Sequence, residues 1–178
     1  IGRIVKLCEQ VPVKVRIIPM LQEILEGRVA VSRIRDVEIE DLLGCEPAQL
    51  DEDLVRGFLE DKVVMVTGAG GSIGSELLRQ VGRYQPRRLL LVERAELALF
   101  EIDRELGAAG RGLPVVPVLA DVADEDRMRG VLAEYRPQVI LHAAAHKHVP
   151  MVEKNPVEGL RNNVLGTHVL GRLAGEAG

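Results

Sequence analysis

The chain has 178 residues, of which 47% are hydrophobic and 28% charged, enough for one domain and a little more. That apolar share excludes a disordered or fibrous chain, which buries too little apolar surface to offset the entropy of ordering. A net charge of −4 and an aromatic share of 2%, with no Trp, argue against a nucleic-acid interface, where basic patches and stacking rings are needed. Two cysteines, Cys8 and Cys45, make neither a disulfide framework nor a four-ligand zinc site, and suit a reducing, cytoplasmic compartment. No apolar run approaches the roughly 18 residues of a membrane helix, and no signal peptide is visible. The sequence opens Ile1-Gly2-Arg3 and stops within a helical pattern at Gly178, as expected of a piece of a longer protein.

The organisation changes near Lys62. Before it, the pattern predicts a strand over Val13–Ile18 stopped by Pro19, which cannot donate to a ladder. A short helix follows over Leu21–Glu26, then a strand at Val29–Val31 and a docked segment over Asp36–Gly44. Leu54, Val55, Phe58 and Leu59 have helical spacing within Asp51–Glu60. Residues 1–61 read as a short α+β linker region and the tail of an upstream domain.

From Lys62 onward strands alternate with helices. The expected strands are Val63–Val66, Leu89–Val92, Val115–Leu119 and Val139–Leu141; the expected helices are Ser72–Arg83, Ala95–Leu106, Asp124–Tyr135 and Pro156–Ala174. Continuous apolar strands belong to parallel sheets covered on both faces, and the alternation means βαβ units with right-handed crossovers. Residues 62–178 are therefore expected to form an α/β domain, the first part of a Rossmann-type doubly wound parallel sheet.

Between the first of these strands and its helix lies Thr67-Gly68-Ala69-Gly70-Gly71-Ser72-Ile73-Gly74. Glycines at 68, 71 and 74 allow, in turn, a sharp exit from the strand, close backbone approach to a pyrophosphate, and close packing of the helix. The helix N-terminus adds N–H groups and partial positive charge for phosphates. Glu93 ends the second strand, 19 residues after Gly74, near the separation at which an acid meets the adenosine ribose. Arg94 follows it and suits a ribose 2′-phosphate instead. NAD and NADP both remain open at this point, and a pair of solvated loop charges is the bland alternative. Asp121 and Val122, just past the third strand, stand where an adenine would lie; Asp121 reads equally well as an acid near a helix N-cap.

The fourth strand runs into His142-Ala143-Ala144-Ala145-His146-Lys147-His148-Val149-Pro150. Ala143, Ala144 and Ala145 leave the carboxyl end of the strand, where open α/β sheets bind ligands, and small side chains give a nicotinamide room. His146, Lys147 and His148 crowd potential cations into the following loop, suited to a diphosphate or simply to a basic surface. His142, His146 and His148 straddle a strand end without a nearby Cys, so no metal is expected. Asn163 stands in the last helix, where it ties a kink or water into the site or serves as a satisfied polar residue between helices.

The stretches "TGAGGSIGSEL", "HAAAHKHVPMVE" and "NNVLGT" resemble the extended short-chain dehydrogenase/reductase family. Within it they are similar to the polysaccharide-biosynthesis branch, the UDP-N-acetylglucosamine 4,6-dehydratase-like enzymes and epimerases. His146 stands where that branch usually carries Tyr, and Cys45 departs from an L-G-R ending in the segment before the domain. The resemblance implies NAD or NADP as cofactor, a UDP-sugar substrate, and a parent protein that upstream helices anchor to the inner membrane; it allows a homo-oligomer. It implies cofactor contacts from the glycine turn (Thr67, Gly68, Gly70, Gly71, Ser72, Ile73, Gly74), Glu93, Arg94, Asp121, Val122, Ala143, Ala144, Ala145 and Asn163. Lys147, His148 and Glu153 become substrate-side candidates. The implied reaction removes a hydride from C4 of the sugar, a proton from C5 and water from C6, then returns the hydride; epimerases of the family use the same hydride exchange. The family's Ser-x-Asp-Lys and Tyr- or Met-x-x-x-Lys motifs are not present after His142, so acid and base are expected beyond Gly178. Competing readings are a non-catalytic NAD(P)-binding regulatory module and a scaffold that uses residues 1–61.

Overall fold

The computed structural model describes residues 16–17, 35–36, 51–108 and 112–177. The chain divides into two compact units, Ile1–Leu50 and Asp51–Gly178. In the first, β1 (Arg16–Ile17) pairs antiparallel with β2 (Arg35–Asp36). The helix expected at Leu21–Glu26, the strand at Val29–Val31 and most of the Asp36–Gly44 segment lie outside the described residues.

The second unit begins one element earlier than the sequence pattern suggests. Helix α1 (Glu52–Leu59) starts at Asp51, whose carboxylate accepts from the N–H groups of Asp53 and Leu54. Such caps satisfy donors that the helix itself leaves open. Leu59 enters the same apolar cluster as Val64, Leu78 and Leu89, so α1 packs as part of the α/β unit.

Four strands then form a parallel sheet: β3 (Val63–Thr67), β4 (Arg88–Glu93), β5 (Val115–Leu119) and β6 (Val139–His142), in the order β5-β4-β3-β6. The crossovers are α2 (Ser72–Val81), α3 (Glu96–Ala108) and α4 (Glu125–Tyr135). Beyond β6 come α5 (Val149–Lys154), α6 (Pro156–Gly159), a π-helical stretch over Leu160–Gly166, and α7 (Thr167–Ala177).

All five residues of β3 are buried, and their alternation sorts the core into two layers. Val63 and Met65 join Leu90 and Val92 against Met128 and Val131 of α4 and Leu170 and Leu173 of α7. Val64 and Val66 join Leu89 and Leu91 against Leu78 of α2 and Leu99 and Ile102 of α3. Each fully buried Leu or Met contributes about 1.5–3 kcal/mol of apolar transfer, and an apolar run with both faces covered is the signature of a doubly wound sheet. Pro117 in β5 is tolerated because β5 pairs on one side only, with β4, leaving the missing N–H on the open edge.

The expected strands and crossover helices stand within a few residues of their expected places. Two departures lie after β6. Val149-Pro150 opens a short helix, proline being favoured where an N–H has no partner. The single helix expected over Pro156–Ala174 is broken into α6, the π-helical stretch and α7.

Candidate functional site

Strand order reverses between β3 and β6: the chain leaves β3 toward β4 on one side and later returns to β6 on the other. Crossovers then diverge on opposite faces of the sheet, and a crevice opens at the carboxyl ends of these strands. A cleft does open there, lined by Gly68, Gly71, Val92, Glu93, Arg94, Ala120, Asp121, Val122, Ala143, Ala144, Ala145, His146 and Asn162.

Its floor is the glycine turn. Gly68 has φ +66°, and a Cβ there would lie 2.7 Å from the Ala144 nitrogen and 2.8 Å from the Ala143 carbonyl oxygen, so any side chain would collide with the strand end beside it. At Gly74 a Cβ would overlap the Gly68 carbonyl oxygen; this glycine closes the turn onto itself. Gly70 abuts Ala98 of α3, where a Cβ would come within 2.5 Å of the alanine methyl, and its N–H donates to Glu93 Oε2 at 3.1 Å. Gly71 differs: the nearest atom to a Cβ is the Gly68 oxygen at 3.2 Å. Gly71 is also the N-cap of α2, with no side-chain cap. The first-turn N–H groups of a ten-residue helix thus remain for an anion. Bare backbone, an uncapped helix start and small residues across the gap fit the pyrophosphate of a dinucleotide.

Glu93 ends β4 with its carboxylate turned inward. Oε1 accepts from the N–H groups of Arg94 and Ala95, and Oε2 from Gly70, so the acid braces the glycine turn against the start of α3. Arg94 reaches outward: Nη1 lies 3.1 Å from Glu158 and 3.9 Å from Asp121, and Nη2 lies 2.9 Å from His146 Nε2. Asp121 Oδ1 accepts from the Ala123 N–H at 2.9 Å, an Asx-type turn at the cleft wall.

Not all expected contact residues face the cleft. Thr67 is fully buried and turns its hydroxyl to His142 Nδ1 at 2.6 Å. Ser72 and Ile73 are exposed in the first turn of α2, and Gly74 is buried beneath it. Asn163 stands behind the wall rather than on it: Oδ1 accepts from the His146 N–H at 2.8 Å and Nδ2 donates to the His146 carbonyl at 2.9 Å. Asn162, which the sequence pattern does not single out, is buried and lines the cleft. Lys147 and His148 line a second cleft that shares Arg94 and His146 with the first. Glu153 is exposed on α5 and lines neither.

His142 is the other residue whose role was hidden in the sequence. Its Nε2 lies 2.9 Å from Thr167 Oγ1, and that hydroxyl donates to the Asn163 carbonyl at 2.8 Å. With its proton spent there, the Thr167 oxygen accepts from Nε2–H, and Nδ1 accepts from Thr67. The ring is neutral and stitches β3, β6 and the start of α7 together. Burial pushes its pKa below the usual histidine value, in keeping with that neutral form. With both ring nitrogens engaged it is not presented as a ligand, and among the described residues no group of three or more metal-binding side chains converges.

Residues 64–178 match the family described as polysaccharide biosynthesis protein. The chain belongs to that family. The family's match begins in β3 and takes in the whole cleft. The chain is 41% identical over 177 residues to the capsular polysaccharide biosynthesis protein CapD of Staphylococcus aureus, covering 99% of this chain and 30% of CapD. To the UDP-N-acetylglucosamine 4,6-dehydratase (inverting) of Campylobacter jejuni it is 31% identical over 107 residues, 59% of this chain and 30% of that enzyme. Among solved structures, a UDP-glucose 4-epimerase from Stenotrophomonas maltophila with bound NAD and formylated UDP-arabinopyranose superposes with a TM-score of 0.56 at 27% identity, covering 65% of this chain and 34% of the epimerase. This member of the polysaccharide biosynthesis family thus spans about a third of the length of each of these three relatives. Its fold is the Rossmann-like one of these neighbours. Among the described residues no helix is long and apolar enough to cross a membrane.

Proposed function

We propose that this chain is the cofactor-binding part of a nucleotide-sugar 4,6-dehydratase (a lyase) or epimerase (an isomerase) that acts on a UDP-sugar in polysaccharide biosynthesis, with NAD or NADP as cofactor. The observation that carries the reading is the uncapped start of α2 facing Ala143–Ala145 across the switch point, with Gly68 and Gly71 bare between them. The dehydratase and NAD-bound epimerase among its relatives support it.

In this reading Gly68, Gly71 and the first turn of α2 take the pyrophosphate. Glu93 and Arg94 stand at the adenosine ribose, with Asp121 and Val122 beside the base. Ala143–Ala145 leave space for the nicotinamide, which supplies reversible hydride exchange when bound. Lys147 and His148, which line the adjoining cleft, are taken to meet the UDP-sugar, and Glu153, outside both clefts, is kept only as a further substrate-side candidate. The proton-transferring groups come from sequence beyond Gly178, consistent with the share of each relative that is covered. The whole protein works at the cytoplasmic side of the inner membrane, where upstream helices anchor it, and can do so as a homo-oligomer. The residues before α1 serve as linker and domain tail, and α1 belongs with the enzyme domain.

Dinucleotide binding tests this directly. Titration with NAD+ and NADP+ followed by NMR should shift the amide signals of Gly68, Gly71 and Ala143–Ala145. The 178 residues alone should bind weakly and leave UDP-N-acetylglucosamine unchanged. Absence of any shift at saturating concentrations of either dinucleotide would overturn the cofactor reading; dehydration of the sugar nucleotide by this chain would overturn the placement of the catalytic groups.

A further inference from the structure

Two clefts meet at one ion pair. The first, at the glycine turn, has a volume of about 160 Å³. The second, between the loop after β6 and helices α5 and α6, has about 240 Å³. Arg94 and His146 line both, and Glu158 lines the second. Sites that enclose small organic ligands and cofactors measure about 300–1,000 Å³. Neither cleft reaches that size alone, and the two joined do. A hydride passed between a sugar nucleotide at Lys147 and His148 and a dinucleotide at the glycine turn also needs one continuous space, since reacting atoms must touch.

What parts the clefts is a strap of side chains. Arg94 Nη1 lies 3.1 Å from Glu158 Oε1, and Nη2 donates to His146 Nε2 at 2.9 Å. Two points of the strap are fixed. The Arg94 N–H donates to Glu93 Oε1, and the His146 main chain is clamped on both sides by Asn163. Glu158 is the loose end. It stands on the four-residue α6 with its side chain 45% exposed, and among the described residues its one hydrogen bond is to Arg94. A second carboxylate faces the guanidinium from the first cleft, Asp121 Oδ2 at 3.9 Å from Nη1. When Glu158 turns to solvent, Asp121 keeps the Arg94 charge compensated, so release leaves no lone cation. Exposed pairs of this kind are weak in water, which makes the closed and open arrangements close in free energy.

We propose that the Arg94–Glu158 pair is an autoinhibitory strap, resting on the dinucleotide reading above: closed, it divides one trough in the free protein, and a dinucleotide enters only after Glu158 lets go.

A contact that must break before binding, and stays broken in the complex, slows association and leaves dissociation alone. NMR line shapes at the Gly68 and Ala144 amides during titration with NAD+ give both rate constants. The proteins compared are the unaltered chain, Glu158→Gln and Glu96→Gln. Glu96 is an exposed acid in the first turn of α3, so its variant makes the same charge change outside the strap. Glu158→Gln should raise the association rate constant about two- to fivefold, the range open to one exposed pair. Dissociation should stay the same, so affinity rises by the same factor. Glu96→Gln should match the unaltered chain in both rates. Unchanged association in Glu158→Gln overturns the strap. So does a gain in affinity carried by slower dissociation, which would make Glu158 a competitor for a contact of the bound ligand. Equal acceleration in Glu96→Gln also overturns it, since long-range steering of an anionic ligand would then be the cause. Each of these results leaves the dinucleotide reading standing. Failure of all three proteins to bind NAD+ or NADP+ overturns both.

Discussion

The side chain of Asn163 makes to His146 the two hydrogen bonds that a neighbouring strand would make, accepting from its N–H and donating to its carbonyl. His146 lies past the end of β6, where sheet pairing has stopped, and its backbone groups would otherwise need water. The amide that replaces the sheet comes from the π-helical stretch, and Asn162 beside it donates to the same Asn163 oxygen at 3.0 Å. A π-turn inside a helix commonly marks a functional site; here it sets two adjacent polar residues at the cleft, one lining it and one bracing its wall.

Asn163→Ala removes both bonds to His146 at once. The expected loss is about 1–3 kcal/mol, since part-buried donors and acceptors are left without partners. Urea unfolding measures the total, and amide exchange at His146 locates it. Exchange at His146 should accelerate more than exchange at Leu90 in the sheet. A uniform change across the sheet would mean that Asn163 supports the whole fold and not this loop.

Gly71→Ala and Gly74→Ala separate folding from ligand binding. A methyl at 74 overlaps the Gly68 carbonyl oxygen, backbone that cannot move without disrupting the turn. That variant should lose about 2 kcal/mol or more, the range of overpacked sites. A methyl at 71 meets its nearest neighbour at 3.2 Å at an ordinary φ of −74°, so stability should stay within about 1 kcal/mol. That methyl sits on the cleft wall, where a pyrophosphate approaches closely, and dinucleotide affinity should fall about tenfold or more. Thermal melts paired with binding isotherms check both; equal stability losses in the two variants would contradict the contrast.

Arg129 and Arg172 join Glu125 and Glu176 in a network between α4 and α7, with contacts of 2.5–2.9 Å. Single exposed pairs contribute little, but several charges acting together contribute more. Glu176→Gln should lower the melting temperature at low ionic strength. The difference should close near 1 M salt, where the screening length is about 3 Å. A difference that persists at high salt would point to packing by α7 as the cause.

Much of this was legible in the residues. Val63–Val66 and Leu89–Val92 are short apolar runs that only a doubly covered sheet accommodates, and the glycines between Thr67 and Gly74 stand where a βα turn requires them. What stayed hidden depends on distance along the chain. Arg94 meets Glu158 across 64 residues and Asn163 meets His146 across 17, pairings that no local pattern specifies. The π-helical stretch also escapes periodicity, because Leu160, Val164 and Leu165 fit a regular helix equally well. The helix at Leu54–Leu59 was visible, but its attachment to the α/β unit follows from Leu59 entering the core beside Val64, a tertiary fact.

His142 makes stability depend on pH near neutrality. Burial lowers its pKa in the folded chain, while the unfolded chain keeps a value of about 6.5. As pH falls through that value the unfolded state takes up a proton first, so the stabilisation is complete above about pH 6.5 and is lost as pH drops toward the folded pKa. Unfolding midpoints between about pH 7.5 and 5.5 should therefore decline faster for the unaltered chain than for His142→Gln, which lacks the group; parallel declines would show that His142 does not set the pH dependence. Thr67→Val supplies the complementary test. The Thr67 hydroxyl donates into Nδ1 and so favours the neutral ring. Without it the His142 resonance should titrate at higher pH than in the unaltered chain, and an unmoved or lower midpoint would show that Thr67 does not hold the neutral form.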